Sequence, residues 1–225
     1  MLLGPAVVTT GVTLVSQFVL LEAIVAVVLL GFGALMLANE FITSELRHLA
    51  EMDPLTNVFN RRAFLTLLDK AISAAQRTGT AVPVLVMDLD HFKNINDTWG
   101  HRAGDDVLRH FVMLAHRCLR KEDVMGRLGG EEFAIFLPNA SAAGALAVAE
   151  RLRALVEAQP VATGPQSIPL TVSVGVTLCA HGDAAGAALQ RADEAMYLAK
   201  ERGRNRVEVS EKIVGTPVAP AATAA

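Results

Sequence analysis

Four carboxylates are spaced so that they could act together. Asp88 and Asp90 close a short apolar run, Val82 to Met87, and Glu131 and Glu132 follow a Gly129-Gly130 pair that separates two further apolar runs. Both places read as strand ends, where a rigid sheet holds charges close together. Carboxylates gathered at one spot repel each other unless a cation joins them, and hard oxygen donors of this kind suit Mg²⁺ shared with phosphate. Two such ions clamping a triphosphate would relieve the repulsion. The glycines let a phosphate approach the backbone, and turn N–H groups can donate to it. Taken alone, Gly129 to Glu132 reads better as a solvated hairpin tip. Its context reverses that reading, because Phe92 to Asp97 and Gly100 to Asp105 place polar residues and glycines directly after Asp88, where a merely structural loop has no use for them.

The elements that must position these residues follow from periodicity. Asn60 can cap a helix running to about Thr78, with Phe64, Leu67, Leu68, Ala71 and Ala75 as its apolar face. Val82 to Met87 reads as a buried strand, followed by a loop with a helical turn through Trp99-Gly100. Ala103 to Arg120 reads as a helix that turns Val107, Leu108, Phe111, Leu114 and Cys118 inward. Asp123 to Leu128 and Glu131 to Leu137 read as a hairpin closed by the two glycines, a favoured two-residue loop. A helix over Ala142 to Ala158, a strand over Leu170 to Leu178, a helix over Ala184 to Arg202 and an edge strand at Arg206 to Val209 complete the order. Strand, helix, hairpin, helix, strand is the split arrangement of a ferredoxin-like α/β (α+β) core, with a central antiparallel sheet flanked by helices. Fold alone assigns no function.

From Val12 to Ala38 the only ionisable residue is Glu22, and no Lys or Arg precedes Arg47. A run of this length predicts a retained transmembrane helix, about 14–38, within a membrane segment of 1–38, rather than a signal peptide. The basic residues begin after it, which places the remainder in the cytoplasm, anchored at the inner membrane. Glu22 fits a proton- or ligand-sensing group or a polar contact to a neighbouring helix. The abrupt apolar opening also fits the last span of a longer sensor. Residues 39–52 form a linker in which Leu35, Ile42 and Leu49, with Asn39 and Leu46 between them, make a short heptad seam. An amphipathic linker lying on the domain reads equally well there. Asp53-Pro54 stops that helix. The domain occupies 53–210, and the aperiodic 211–225 tail reads as disordered. Cys118 and Cys179 read as reduced core thiols, and a net charge of −3 with no basic stripe argues against nucleic acid as a partner.

Ordered segments run throughout residues 53 to about 209: Asp53-Pro54-Leu55-Thr56, Asn60-Arg61-Arg62, Met87-Asp88-Leu89-Asp90-His91-Phe92-Lys93, Ile95-Asn96-Asp97, Gly100-His101, Gly104-Asp105-Asp106, Arg127 to Phe133, Val172 to Val176, Arg191-Ala192-Asp193, Tyr197 with Ala199-Lys200, and Gly203-Arg204-Asn205. In this order they resemble the GGDEF-domain diguanylate cyclases. The turn is the Glu-Glu form, similar to that of active members.

The resemblance implies a palm-type GGDEF domain that condenses two GTP into cyclic di-GMP as a two-fold homodimer. In it Asp88, the carbonyl of Leu89 and Glu131 bind Mg²⁺, with Mn²⁺ an acceptable substitute. Glu131, Glu132 and Lys93 are the implied catalytic residues. Asn96, Asp105, His101, Gly129, Gly130, Lys200 and Arg204 are the implied substrate contacts, with Asn96 and Asp105 reading the guanine edge and Lys93, Lys200 and Arg204 holding phosphate. Arg120 and Asp123, spaced as RxxD, together with Arg151, match a site at which the cyclic di-GMP product inhibits. A silent receptor for GTP or cyclic di-GMP is the alternative, and silent members typically lose the turn acid or the first metal Asp, both present here. A cyclase acting on ATP or mixed pairs is a second alternative.

Overall fold

A chain of Leu, Val, Ala and Ile with few breakers winds into helix, and the first element, α1, runs Pro5–Glu51. The computed structural model describes residues 5–163, 166–179 and 182–210, and within them the side chains of 16–40, 51–162, 167–179 and 182–210. Inside α1, Ser16–Glu40 is a 25-residue stretch long and apolar enough to cross a bilayer, and its side chains are exposed to the surroundings. Leu35 and Asn39 of the expected seam lie in this stretch, while the side chains of Ile42, Leu46 and Leu49, like the tail after residue 210, fall outside the described residues. The chain divides into two compact units, Met1–Ala50 and Glu51–Ala225.

The second unit is a six-stranded sheet with helices on both faces. β1 (Phe59–Asn60) leads into α2 (Arg61–Thr78), β2 (Val82–Leu89), α3 (Phe92–Trp99) and α4 (His101–Cys118). The hairpin β3 (Val124–Gly129) and β4 (Glu132–Phe136) follows, then α5 (Ala142–Ala158), β5 (Val161–Thr163), β6 (Gln166–Ile168), β7 (Val172–Cys179), α6 (Ala185–Glu201) and β8 (Val207–Val209). The sheet order is β1-β3-β4-β2-β7-β8, and β5-β6 form a separate hairpin. Its four central strands pair antiparallel throughout, the ferredoxin-like order, while β1 and β8 extend the two edges in parallel.

Alternate side chains of the central strands feed two cores. Leu85, Met87, Phe133, Ile135, Val172, Val174 and Val176 pack under α3, α4 and α5. Val84, Val86, Ala134 and Phe136 pack under α2 and α6. The second layer presses close, since a methyl group on Gly175 of β7 would collide with the Ala192 carbonyl and the Met196 backbone of α6. Asn60 caps α2 as expected, its Oδ1 accepting from the Ala63 N–H at 3.0 Å, and Gly79 ends the helix at φ 67°. The first turn of α6 is satisfied from a distance, by Asp69 of α2 accepting from the Ala185 N–H at 3.2 Å.

Several boundaries differ from expectation. The polar run after Asp88 is a full helix, α3, because Phe92 and Ile95 bury on one side and hold it down. The next helix begins at His101, two residues early, since Gly100 breaks α3 from α4 with φ 81° and donates to the Asn96 carbonyl. The hairpin loop is Gly130-Glu131 rather than Gly129-Gly130. Gly129 stays in the ladder opposite Glu132, and the register slips by one residue between the Arg127–Phe133 and Gly129–Glu132 pairs.

Candidate active site

Asp88 lies at the last-but-one position of β2, directly opposite Glu132 of β4 on one side and Ser173 of β7 on the other. The Leu89 N–H donates to the Glu131 carbonyl at 3.4 Å, closing the loop onto the strand end. Asp88 is 6% exposed, and its Oδ2 lies 2.7 Å from Nζ of Lys200, on the last turn of α6. Burial, with Glu131 and Glu132 nearby, pushes the Asp88 carboxyl above the ordinary carboxylate range even though Lys200 acts against it. Asp88, Glu131 and Glu132 thus crowd one sheet end, although among the described residues no three acidic, His or Cys side chains already form a metal cluster.

Asn96 on α3 meets the first turn of α4 at Gly104, the residue before Asp105. Asn96 lies against the start of α4 so closely that a methyl group on Gly104 would collide with its Oδ1, and Asp105 is the next residue. His101 at the head of α4 and Lys93 on α3 are exposed. Gly130 takes φ 47°, a conformation that glycine adopts without strain, so the loop can make its tight turn there.

The hairpin that carries Glu131 is held from behind. Phe133 is fully buried, its ring centroid 4.9 Å from that of Phe111. Arg127 donates through Nε to the Gly130 carbonyl at 2.9 Å and through Nη1 to both Asp53 oxygens at 3.0 and 3.2 Å. Asp53 also accepts from the Thr56 N–H and Oγ1 at 2.9 and 2.6 Å. Burial works to raise the Asp53 carboxyl, but the hydrogen bonds from Thr56 and Arg127 hold it below its usual range. One guanidinium therefore ties the first residues of the domain to the loop.

Asp90, paired with Asp88 in the sequence reading, does something else. Its Oδ1 accepts from Ser173 Oγ at 2.7 Å, and its Oδ2 accepts from Thr171 Oγ1 at 2.8 Å and the Asn205 N–H at 3.0 Å. Both oxygens are engaged by three donors, so this carboxylate acts as a structural anchor and stands apart from the acid cluster. Asn205 and Arg204 beside it both have positive φ, 46° and 63°. The side chain of Arg204 makes no hydrogen bond or ion pair among the described residues. The Arg127–Asp53 bridge and the seat of Asn205 escaped the sequence reading. The second had a local signal, since Gly-Arg-Asn favours left-handed backbone.

The three residues of the expected inhibitory site stand close together at a separate corner. Asp123 Oδ2 accepts from the Arg120 N–H at 2.7 Å, and Arg151 Nη2 donates to the Cys118 carbonyl at 2.6 Å. Burial pushes the Asp123 carboxyl up, while the Arg120 N–H and the charges of Arg120 and Arg151 pull it down.

A family model described as diguanylate cyclase, GGDEF domain, matches residues 50–206. Diguanylate cyclase DosC of Escherichia coli (strain K12) is 42% identical over 174 residues, 77% of this chain and 38% of its own length. Response regulator PleD of Caulobacter vibrioides (strain NA1000 / CB15N) is 42% identical over 175 residues, 75% of this chain and 38% of its own. The chain therefore spans under two fifths of these curated relatives. Among solved structures, the coiled coil and GGDEF domain of DgcB from Caulobacter crescentus in complex with c-di-GMP aligns with TM-score 0.77 and 33% identity, over 84% of this chain and 99% of that one.

Proposed function

Because the chain belongs to the diguanylate cyclase GGDEF-domain family, we propose that it condenses two GTP into cyclic di-GMP with release of two pyrophosphates. The observation that carries this reading is the crowding of Asp88, Glu131 and Glu132 at one sheet end with Lys200 beside them. Asp88, the Leu89 carbonyl and Glu131 would hold Mg²⁺, or Mn²⁺ in its place. The raised Asp88 carboxyl, due first to burial and then to Glu131 and Glu132, supports the fit, since a divalent cation would supply countercharge to a carboxylate that burial disfavours. When bound, such an ion polarises the phosphate under attack and offsets its charge.

The chain's own residues supply the remainder. Glu131, directly or through a water, accepts the proton of the attacking 3′-hydroxyl, and Glu132 adds negative field beside it. Lys93, Lys200 and Arg204 hold phosphate oxygens and balance the charge that gathers on the leaving pyrophosphate, Lys200 exchanging its Asp88 partner for phosphate. Asn96 and Asp105 accept from the guanine edge, with His101 at the pocket mouth, and Gly129 and Gly130 leave room for the phosphates. Each domain presents one GTP, so two copies face each other across a two-fold axis. Arg120, Asp123 and Arg151 bind the product and inhibit, their guanidinium forks suiting guanine and phosphate edges. The apolar stretch Ser16–Glu40, which overlaps the expected span of about 14–38 in the membrane segment 1–38, anchors the chain in the inner membrane. Residues 39–52 are the linker, and the domain of 53–210 lies in the cytoplasm.

Incubating the purified chain with GTP or ATP and Mg²⁺ and separating the products tests this. Cyclic di-GMP from GTP alone is expected, and its loss in Glu131→Ala. GTP bound and recovered unchanged by the wild type would make the chain a receptor instead.

A further inference from the structure

We propose that Asn205 is a positioning residue for the substrate phosphates, acting through Arg204. The proposal rests on the cyclase reading and adds to it the residues that aim one of its cations.

Arg204 is held at its backbone, while its side chain makes no hydrogen bond or ion pair among the described residues. Its N–H donates to the Ala199 carbonyl at 2.9 Å at the end of α6, and its own carbonyl accepts from Arg206 Nε at 3.3 Å. Its φ of 63° is one that a long side chain adopts only when its surroundings impose it. The imposing residue is Asn205, which is fixed from two sides. Its N–H donates to Asp90 Oδ2 at 3.0 Å, beyond the end of β2. Its Oδ1 accepts from Arg153 Nη1 at 2.8 Å, and its Nδ2 donates to Glu157 Oε1 at 2.8 Å, both on α5. Arg153 is itself locked between Glu150 and Glu157 at 2.7 and 2.8 Å. Both ends of the amide thus serve to place the turn, whose Arg204 and Asn205 follow three and four residues after the end of the helix that brings Lys200 to Asp88. A guanidinium launched from a pinned backbone loses less freedom when it grips a ligand, which is where preorganised sites gain affinity.

The test uses the full chain and GMPCPP, the GTP analogue whose α,β-methylene bridge cannot release pyrophosphate. Asn205→Gly keeps the left-handed backbone accessible and removes both side-chain bonds. It should weaken GMPCPP binding about tenfold and leave GMP binding unchanged. The double variant Asn205→Gly/Arg204→Ala should bind GMPCPP no worse than Arg204→Ala alone. Glu157→Gln should show a smaller loss of the same kind without any change in the loop sequence. Additive losses in the double variant, or equal weakening for GMP, would overturn the proposal, as would an Arg204→Ala variant that binds like wild type. A wild type that binds GMPCPP but makes no cyclic di-GMP counts against the cyclase reading and leaves this cycle to be read on its own.

Discussion

Asp88 illustrates how a site can work against the fold that holds it. Its carboxyl is raised by burial and by Glu131 and Glu132. A group whose folded value lies above its unfolded one contributes stability below the unfolded value and loses it as pH rises through the folded value. In metal-free protein at neutral pH the ionised Asp88 is therefore a net cost. Asp88→Asn should raise the metal-free thermal midpoint at pH 7 and leave it unchanged near pH 3, while lowering turnover by about 10²–10³-fold, the scale of losing one preorganised charge interaction. A fall in midpoint at pH 7 would contradict the electrostatic account. Asp53 carries the opposite sign. Its depressed carboxyl contributes stability above the unfolded value of about 3.9 that fades as pH falls further. Asp53→Asn should flatten the acid limb of the stability curve, and Arg127→Ala should cost about 2–3 kcal/mol by leaving Asp53 partly buried without its cation. The acids themselves were legible as a site because strand ends and a glycine turn have sequence signals. The partition between Asp88 and Asp90 was not, since both close the same apolar run, and the donors that set Asp90 apart, the hydroxyls of Thr171 and Ser173 some 80 residues later and the Asn205 N–H, are remote in sequence.

At the scale of elements, periodicity exposed every long helix and central strand, because each buries a stripe or a face. What it could not supply were the elements whose stability comes from elsewhere. The pair Phe59–Asn60 takes its strand form from β3 and a bridge to Met52, and β5 and β6 pair with each other while Val161 and Ile168 sink into the core. α3 looked like a loop because eight residues give little pattern, yet Phe92 and Ile95 suffice when the sheet is already there to receive them. The close seat of α6 on β7 is equally invisible, and it sets where α6 places Lys200 beside Asp88, a placement that the proposed function uses. Gly175→Ala would press a methyl group onto the α6 backbone. A shift of the helix costs about 1–3 kcal/mol, so urea unfolding should show that loss, and turnover should fall further than stability alone explains as Lys200 moves off Asp88. Asp69→Ala removes the distant cap of α6 and should cost about 1 kcal/mol with a milder effect on turnover. Equal turnover in both variants would separate the seating of α6 from catalysis.

For the whole molecule, the proposed cyclase reading makes activity a property of pairs. One domain gathers one set of acids at one sheet end, and on that reading it presents one GTP, so each protomer would be half of a site. The rate per protomer then tracks the fraction of protomers that are paired. Free in solution that fraction falls with dilution. On a membrane it does not, because confinement to a thin layer raises the effective concentration without any new contact. The apolar stretch Ser16–Glu40 would supply that confinement, and the seam expected around Leu46 would set how the pair is held. Turnover per protomer in detergent should therefore decline in proportion to dilution, and reconstitution into vesicles at the same bulk concentration should restore it. Leu46→Asp, which places a charge in the seam, should lower turnover about tenfold in detergent while GMPCPP binding stays at the wild-type level. Raising the protomer concentration tenfold should recover most of the loss, because weaker pairing is offset by mass action. Activity that stays constant per protomer across dilution, with or without the substitution, would mean that the pair is held by the domains themselves and that the helix has no part in it.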